Sequence, residues 1–236
     1  MDRRTGEHSS DPMVFPRVGR VRGTAARSTS WWGRAWVRSF EEIVVDAADL
    51  PAARALARSG RLGAVMVLAG MASVVVDRSR PTPVMAQLRV SRLDDPAWQA
   101  FVDELRRESG FTAALESGEL PAELVEHADQ AGVEVLPGPT DVETACECDA
   151  WAQPCVHALA LLYQLAWHID DDPYALLLLR GRSREQLLDA AESAMAPDDV
   201  ATRAAEILRL AAAAPDGHGL ADSAVAAYDE EISRLI

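Results

Sequence analysis

The chain contains no lysine: all 23 of its basic residues are arginine. Beside abundant alanine, that absence reflects the codon bias of a GC-rich genome more than a function. Cysteine is nearly absent too. The chain has only 3, which cannot pair completely, so a disulfide framework is excluded and a reducing compartment is expected. Aromatics make up 6% of residues. No apolar run approaches the length of a membrane span, and no apolar segment of the kind an export signal requires follows Arg3-Arg4. The expectation is a soluble cytoplasmic protein. No phosphate-cradling glycine loop, nucleophile elbow or dinucleotide fingerprint occurs.

What is present is acidity, unevenly placed. The formal net charge is −14 and the isoelectric point is near 4.7. Residues 1–92 hold 15 arginines against 8 acids, whereas the other 144 residues hold 8 against 29. The overall sign is wrong for a general nucleic-acid binder, and any such role falls to the N-terminal part. A length of 236 residues with 49% hydrophobic content accommodates one large domain or two small ones with a real core.

All three cysteines lie in one stretch, Cys146-Glu147-Cys148-Asp149-Ala150-Trp151-Ala152-Gln153-Pro154-Cys155-Val156-His157. Written as ligands it is C-x-C, six residues, then C-x-H. Three thiolates and an imidazole make a complete tetrahedral donor set for zinc. Residues i and i+2 of an extended segment face the same side, so Cys146 and Cys148 can aim at one ion. After Pro154 an apolar helical run, 158–167, places His157 in its first turn. Cys155 then sits at the helix start, where the positive end of the dipole favours a thiolate. A closed Cys₃His site has no open coordination position, so it braces the fold and activates no water. The zinc deaminase pattern is the nearest enzymatic likeness, but the second cysteine of its C-x-x-C is missing.

This string resembles the SWIM zinc finger. Trp151, Pro154-Cys155 and Ala158-Leu159-Ala160 are similar to the usual surroundings of that motif. So are Trp31-Trp32-Gly33-Arg34-Ala35-Trp36 and Leu179-Arg180-Gly181-Arg182. The resemblance covers residues 30–195 and is to a bacterial family of SWIM-containing proteins. It implies a non-catalytic module holding one structural zinc and contacting proteins or DNA, often associated with helicase-like ATPases of the Swi/Snf type. Val156 stands where that family often has lysine, which removes a positive charge beside the metal.

Taken in order, residues 1–29 read as a disordered lead-in. Residues 30–136 read as an α+β domain with a small antiparallel sheet of about three strands and packed helices. Ser30 caps a helix whose Trp32, Trp36, Phe40 and Ile43 form a core stripe. A short helix near Pro51 carries Arg54, Arg58 and Arg61. Leu62–Leu68 and Met71–Val76 form a hairpin. Val84, Ala86, Leu88 and Val90 mark the apolar face of a third strand. Asp95-Pro96 starts a helix with a Trp98, Phe101, Val102, Leu105 stripe, and Pro121 to Gln130 forms another that Gly132 stops. His127 is expected at the surface. Val133–Leu136 and Val142–Ala145 are short extended pieces. Residues 137–195 hold the finger, its short strands and helix, and the helices after it. Ser183-Arg184-Glu185-Gln186 is a capping box. Residues 196–236 read as an Ala-rich helical tail.

The preferred expectation is a zinc-stabilised adapter in a protein complex, for which an acidic chain suits a basic partner. The alternative is a DNA- or RNA-binding accessory protein using Arg54, Arg58, Arg61, Arg78, Arg80, Arg180, Arg182 and Arg184. For Arg54, Arg58 and Arg61 the plainer role is a solvated helix face, and for Arg180, Arg182 and Arg184 helix C-terminal charge compensation accounts for part of the cluster. An enzyme is the least favoured reading.

Overall fold

The computed structural model describes residues 11–22, 28–42, 44–77 and 82–193. The chain divides into two units, Met1–Asp189 and Ala190–Ile236, and the core and candidate site belong to the first. The Ala-rich helical tail expected over 196–236 lies outside the described residues, as do Ile43, Arg78 and Arg80.

The architecture is mixed α+β, with eight α-helices and a five-stranded antiparallel sheet among the described residues. The strands are β1 (Met13–Phe15), β2 (Leu62–Leu68), β3 (Met71–Val76), β4 (Val84–Val90) and β5 (Val142–Cys146), in that spatial order. The expected count of three is thereby corrected to five. The hairpin and the alternating third strand are β2, β3 and β4, and Val84, Ala86, Leu88 and Val90 are buried as expected. The two additional strands are the edges. β1 has three residues between Pro12 and Pro16, too few for a periodicity to appear, and it is held by pairing Met13 with Val67 and Phe15 with Val65. β5 is the extended piece leading to the first two cysteines. It pairs with β4 through Val90↔Val142 and Ala86↔Cys146, a ladder partner more than fifty positions away. The other extended piece is not a strand: Val133 and Val135 are buried in irregular backbone. Gly132, at φ +81°, turns the chain out of the preceding helix, and the Val133 N–H reaches back to the Ala128 carbonyl at 2.8 Å.

The helices are α1 (Trp31–Glu41), α2 (Asp49–Ala57), α3 (Asp95–Arg107), α4 (Ser109–Glu116), α5 (Ala122–Gln130), α6 (Val156–Asp171), α7 (Tyr174–Leu179) and α8 (Arg184–Ser193). Asp94, one residue earlier than expected, caps α3 by accepting from the Ala97 N–H at 2.8 Å. α4 is an addition to the expected elements, because Gly110 in its first turn masks the helical pattern.

α6 is apolar on nearly every side, as a helix must be when other elements surround it. It packs against the sheet and is flanked by α1 and α2. Leu159, Leu161, Leu162, Leu165 and Ile169 are fully buried, each contributing about 1.5–3 kcal/mol by leaving water. The tryptophans of α1 clamp onto it. Trp36 Nε1 donates to the Leu162 carbonyl at 3.0 Å and Trp32 Nε1 to the Ile169 carbonyl at 2.9 Å. The stripe of α1 is therefore core, and each indole satisfies its one donor. This packing fixes the start of α6 beside the end of β5.

Candidate metal centre

β4 sets the direction of the first cysteine. Cys146 lies opposite the buried Ala86, so both face the helix-covered side of the sheet. Glu147 follows on the outer face and prolongs the ladder. Its N–H donates to the Met85 carbonyl at 3.1 Å, and its carboxylate accepts the Met85 N–H at 2.9 Å. Cys148 comes two positions after Cys146. The chain then loops through residues 149–154, with a cis bond at Gln153–Pro154, and enters α6. Cys155 is the N-cap of α6 in extended conformation, and its N–H is held by the Gln153 side chain at 3.1 Å. His157 is the second residue of the helix.

The four expected ligands meet. The donor atoms of Cys146, Cys148, Cys155 and His157 all lie within 4.8 Å of one another. Cys155 Sγ and His157 Nδ1 are 4.0 Å apart. With Zn–S near 2.3 Å and Zn–N near 2.0 Å, a tetrahedral site has edges of about 3.5–3.8 Å. Closure around an ion therefore needs only small side-chain rotations. Cys155 is buried, while the other three candidate ligands are half-buried.

The hydrogen bond from Cys146 holds the Cys155 thiol well below its ordinary value, helped by His157. As the donor in that pair, Cys146 is pushed up. A thiol held low at Cys155, with further thiols around it, is the donor chemistry a divalent soft-to-borderline metal requires. The set fits one zinc, and all four positions are filled by protein.

A cleft of about 390 Å³ adjoins the centre, and its lining includes Cys148, Cys155 and His157 together with Val45, Asp46 and Asp49. Asp149 and Trp151 also line it, and Trp151 is 86% exposed, the most exposed large apolar side chain among the described residues. The spacing of the motif located this tryptophan but carried no signal of its exposure.

The arginines singled out in the sequence do not converge. Arg180 is buried, and its guanidinium donates to the Ser91 carbonyl and, at 2.8 Å, to the Glu134 carbonyl. Arg182 is ion-paired with Asp95 at 2.7 Å and lies over the Trp98 ring, while Arg184 lies over Tyr174. Arg61 Nε donates to the Asp77 carbonyl at 2.8 Å. Arg54 is bonded to Glu41 and, at 3.0 Å, to the Tyr163 hydroxyl. Arg54 and Arg58 do share a second cleft, away from the metal centre. Arg78 and Arg80 lie outside the described residues. His127 is half-buried with its ring edge-on to Phe111, so it is less exposed than expected. No described helix is long and apolar enough to cross a membrane.

Comparison with known proteins finds a relative in Mycobacterium tuberculosis described as "Uncharacterized protein Rv2102". It is 32% identical over 191 residues, which is 78% of this chain and 68% of that protein. No protein-family model matches the chain, and no solved structure matches it.

Proposed function

The chain belongs to the family of the uncharacterized protein Rv2102 of Mycobacterium tuberculosis, and we propose that it is a non-catalytic SWIM-type zinc-binding adapter. One observation carries this reading: four metal donors within 4.8 Å of one another border a cleft from which Trp151 projects, 86% exposed. A Cys₃His set fills a tetrahedral ion completely, so the metal organises the loop 149–154 and presents it. An exposed tryptophan is costly to leave in water and is the kind of side chain that anchors protein interfaces.

The partner this surface suits is a protein with basic side chains. Asp46, Asp49 and Asp149 line the cleft, and a zinc ion bound by three thiolates carries one net negative charge. A helicase-like ATPase of the Swi/Snf type is the partner that the SWIM resemblance implies, within the cytoplasm. Direct contact with DNA or RNA draws less support, since Arg180 and Arg182 are used inside the protein and the finger's cleft is acidic.

The test is co-purification from native cells with the zinc-loaded chain as bait, beside Trp151→Ala. The reading expects the variant to keep its zinc and its fold and to lose the recovered partner. Recovery of the same partner by both proteins would contradict it.

A further inference from the structure

A second cleft of about 360 Å³ lies where α1, α2 and α6 meet, and it shares no residue with the metal centre. Its lining includes Arg34 and Glu41 of α1, Arg54 and Arg58 at the end of α2, and Tyr163 and Trp167 of α6. Three guanidiniums face one carboxylate, so the cleft is positive in a strongly acidic protein.

The positive charge is held in place and is not fully used. The Tyr163 hydroxyl donates to Glu41 and accepts from Arg54 Nε at 3.0 Å, while Arg54 also ion-pairs with Glu41. Arg54 also lies over the Tyr163 ring at 5.5 Å. Of the five N–H donors of a guanidinium, Arg54 therefore uses two. Arg34 uses one on the Thr29 carbonyl. The Arg58 side chain makes no hydrogen bond or ion pair among the described residues. Asp170 of α6 is occupied by the Ser28 and Ser30 hydroxyls and the Thr29 N–H. Forked donors around an opening are the arrangement that recognises phosphate oxygens.

The remaining walls are Ser28, Val37, Tyr163 and Trp167. A bare phosphate leaves most of such a volume empty, and the space is that of a small-molecule site. We propose that this cleft binds a mononucleotide-like small molecule, a phosphate monoester linked through a sugar or similar spacer to a planar ring, with Arg34, Arg54 and Arg58 on the phosphate and Trp167 against the ring. Two net positive charges match the dianion of a phosphomonoester.

The experiment is calorimetric titration of the full zinc-loaded chain at low salt with adenosine monophosphate, with adenosine and inorganic phosphate as controls. Arg34→Gln and Arg58→Gln are compared with Arg34→Lys and Arg58→Lys, and circular dichroism and zinc content verify each fold. The proposal expects the monophosphate to bind in a one-to-one complex, tighter than either control. It expects each glutamine variant to weaken binding about tenfold or more and the lysine variants less; a parallel titration read by tryptophan fluorescence should show a change in the wild type that Trp167→Phe abolishes. It is overturned if the monophosphate fails to bind at millimolar concentration, or if adenosine binds as well. Affinity that is indifferent to both arginines, or binding by a single-stranded oligonucleotide alone, overturns it equally.

Discussion

Cys146 stands directly across from Ala86 in the β4–β5 ladder, and this register points its sulfur toward the start of α6. A slip of one residue would turn it to the outer face, where Glu147 and Ala145 lie. The metal centre therefore depends on a β-pairing between residues sixty positions apart as much as on the local C-x-C spacing. It also depends on α6, whose start is fixed by the tryptophan clamps of α1.

Gly33 should tolerate no side chain. A Cβ there would lie 1.8 Å from Asp170 Oδ1 and 2.1 Å from Ser28 Oγ. Asp170 is itself pinned by Ser28, Thr29 and Ser30, so it cannot withdraw without releasing the cap of α1. Gly33→Ala is expected to destabilise the protein by about 1–3 kcal/mol, read as a lower urea midpoint. An unchanged midpoint would show that this junction is loose.

Arg180 separates a structural role from a nucleic-acid role. Burial lowers its guanidinium from the ordinary arginine range, yet it joins the carbonyls of Ser91 and Glu134, which come from separate segments. Arg180→Ala leaves both carbonyls short of a donor and is expected to cost about 2–4 kcal/mol in equilibrium unfolding. A variant of wild-type stability that binds nucleic acid less well would contradict this assignment.

His168 makes stability depend on pH. It is buried, its ring stacked on Phe15 at 4.1 Å, and its Nε2 has no partner. Burial pushes its pKa down to about 4 from an ordinary 6.5. Between those values the unfolded chain binds more protons than the folded one, so stability falls as the pH drops through this window. The full effect is about 3 kcal/mol. The unfolding free energies of wild type and His168→Phe, measured from neutral pH to pH 4, should draw apart by up to this amount across the window, the wild type losing more. Parallel curves would remove His168 as the source.

What could be read beforehand was what is written locally. The four candidate metal donors fall within one dodecapeptide, and their spacing alone picked them out. The alternation of β4 and the Ser183–Gln186 capping box, with the Ser183 N–H on Gln186 at 2.8 Å, are likewise short-range signals. The remainder is long-range. β1 and β5 become strands only through partners far along the chain, and the arginine near residue 180 looked like a phosphate contact because its acceptors are 89 and 46 positions away. Trp151 was visible as a letter but not as an exposed surface. The cleft at Arg34, Arg54 and Arg58 draws on three helices, and no single stretch displays it.

The most direct test of the account is metal analysis of the purified full chain, repeated on Cys148→Ser and His157→Ala. The wild type should carry one zinc per chain, and cobalt in its place should give a tetrahedral spectrum with thiolate charge-transfer bands. Each variant should lose the metal, and chelation should lower unfolding stability by about 4 kcal/mol. Wild-type protein that takes up no metal from zinc-supplemented medium, or variants that keep it in full, would contradict the assignment.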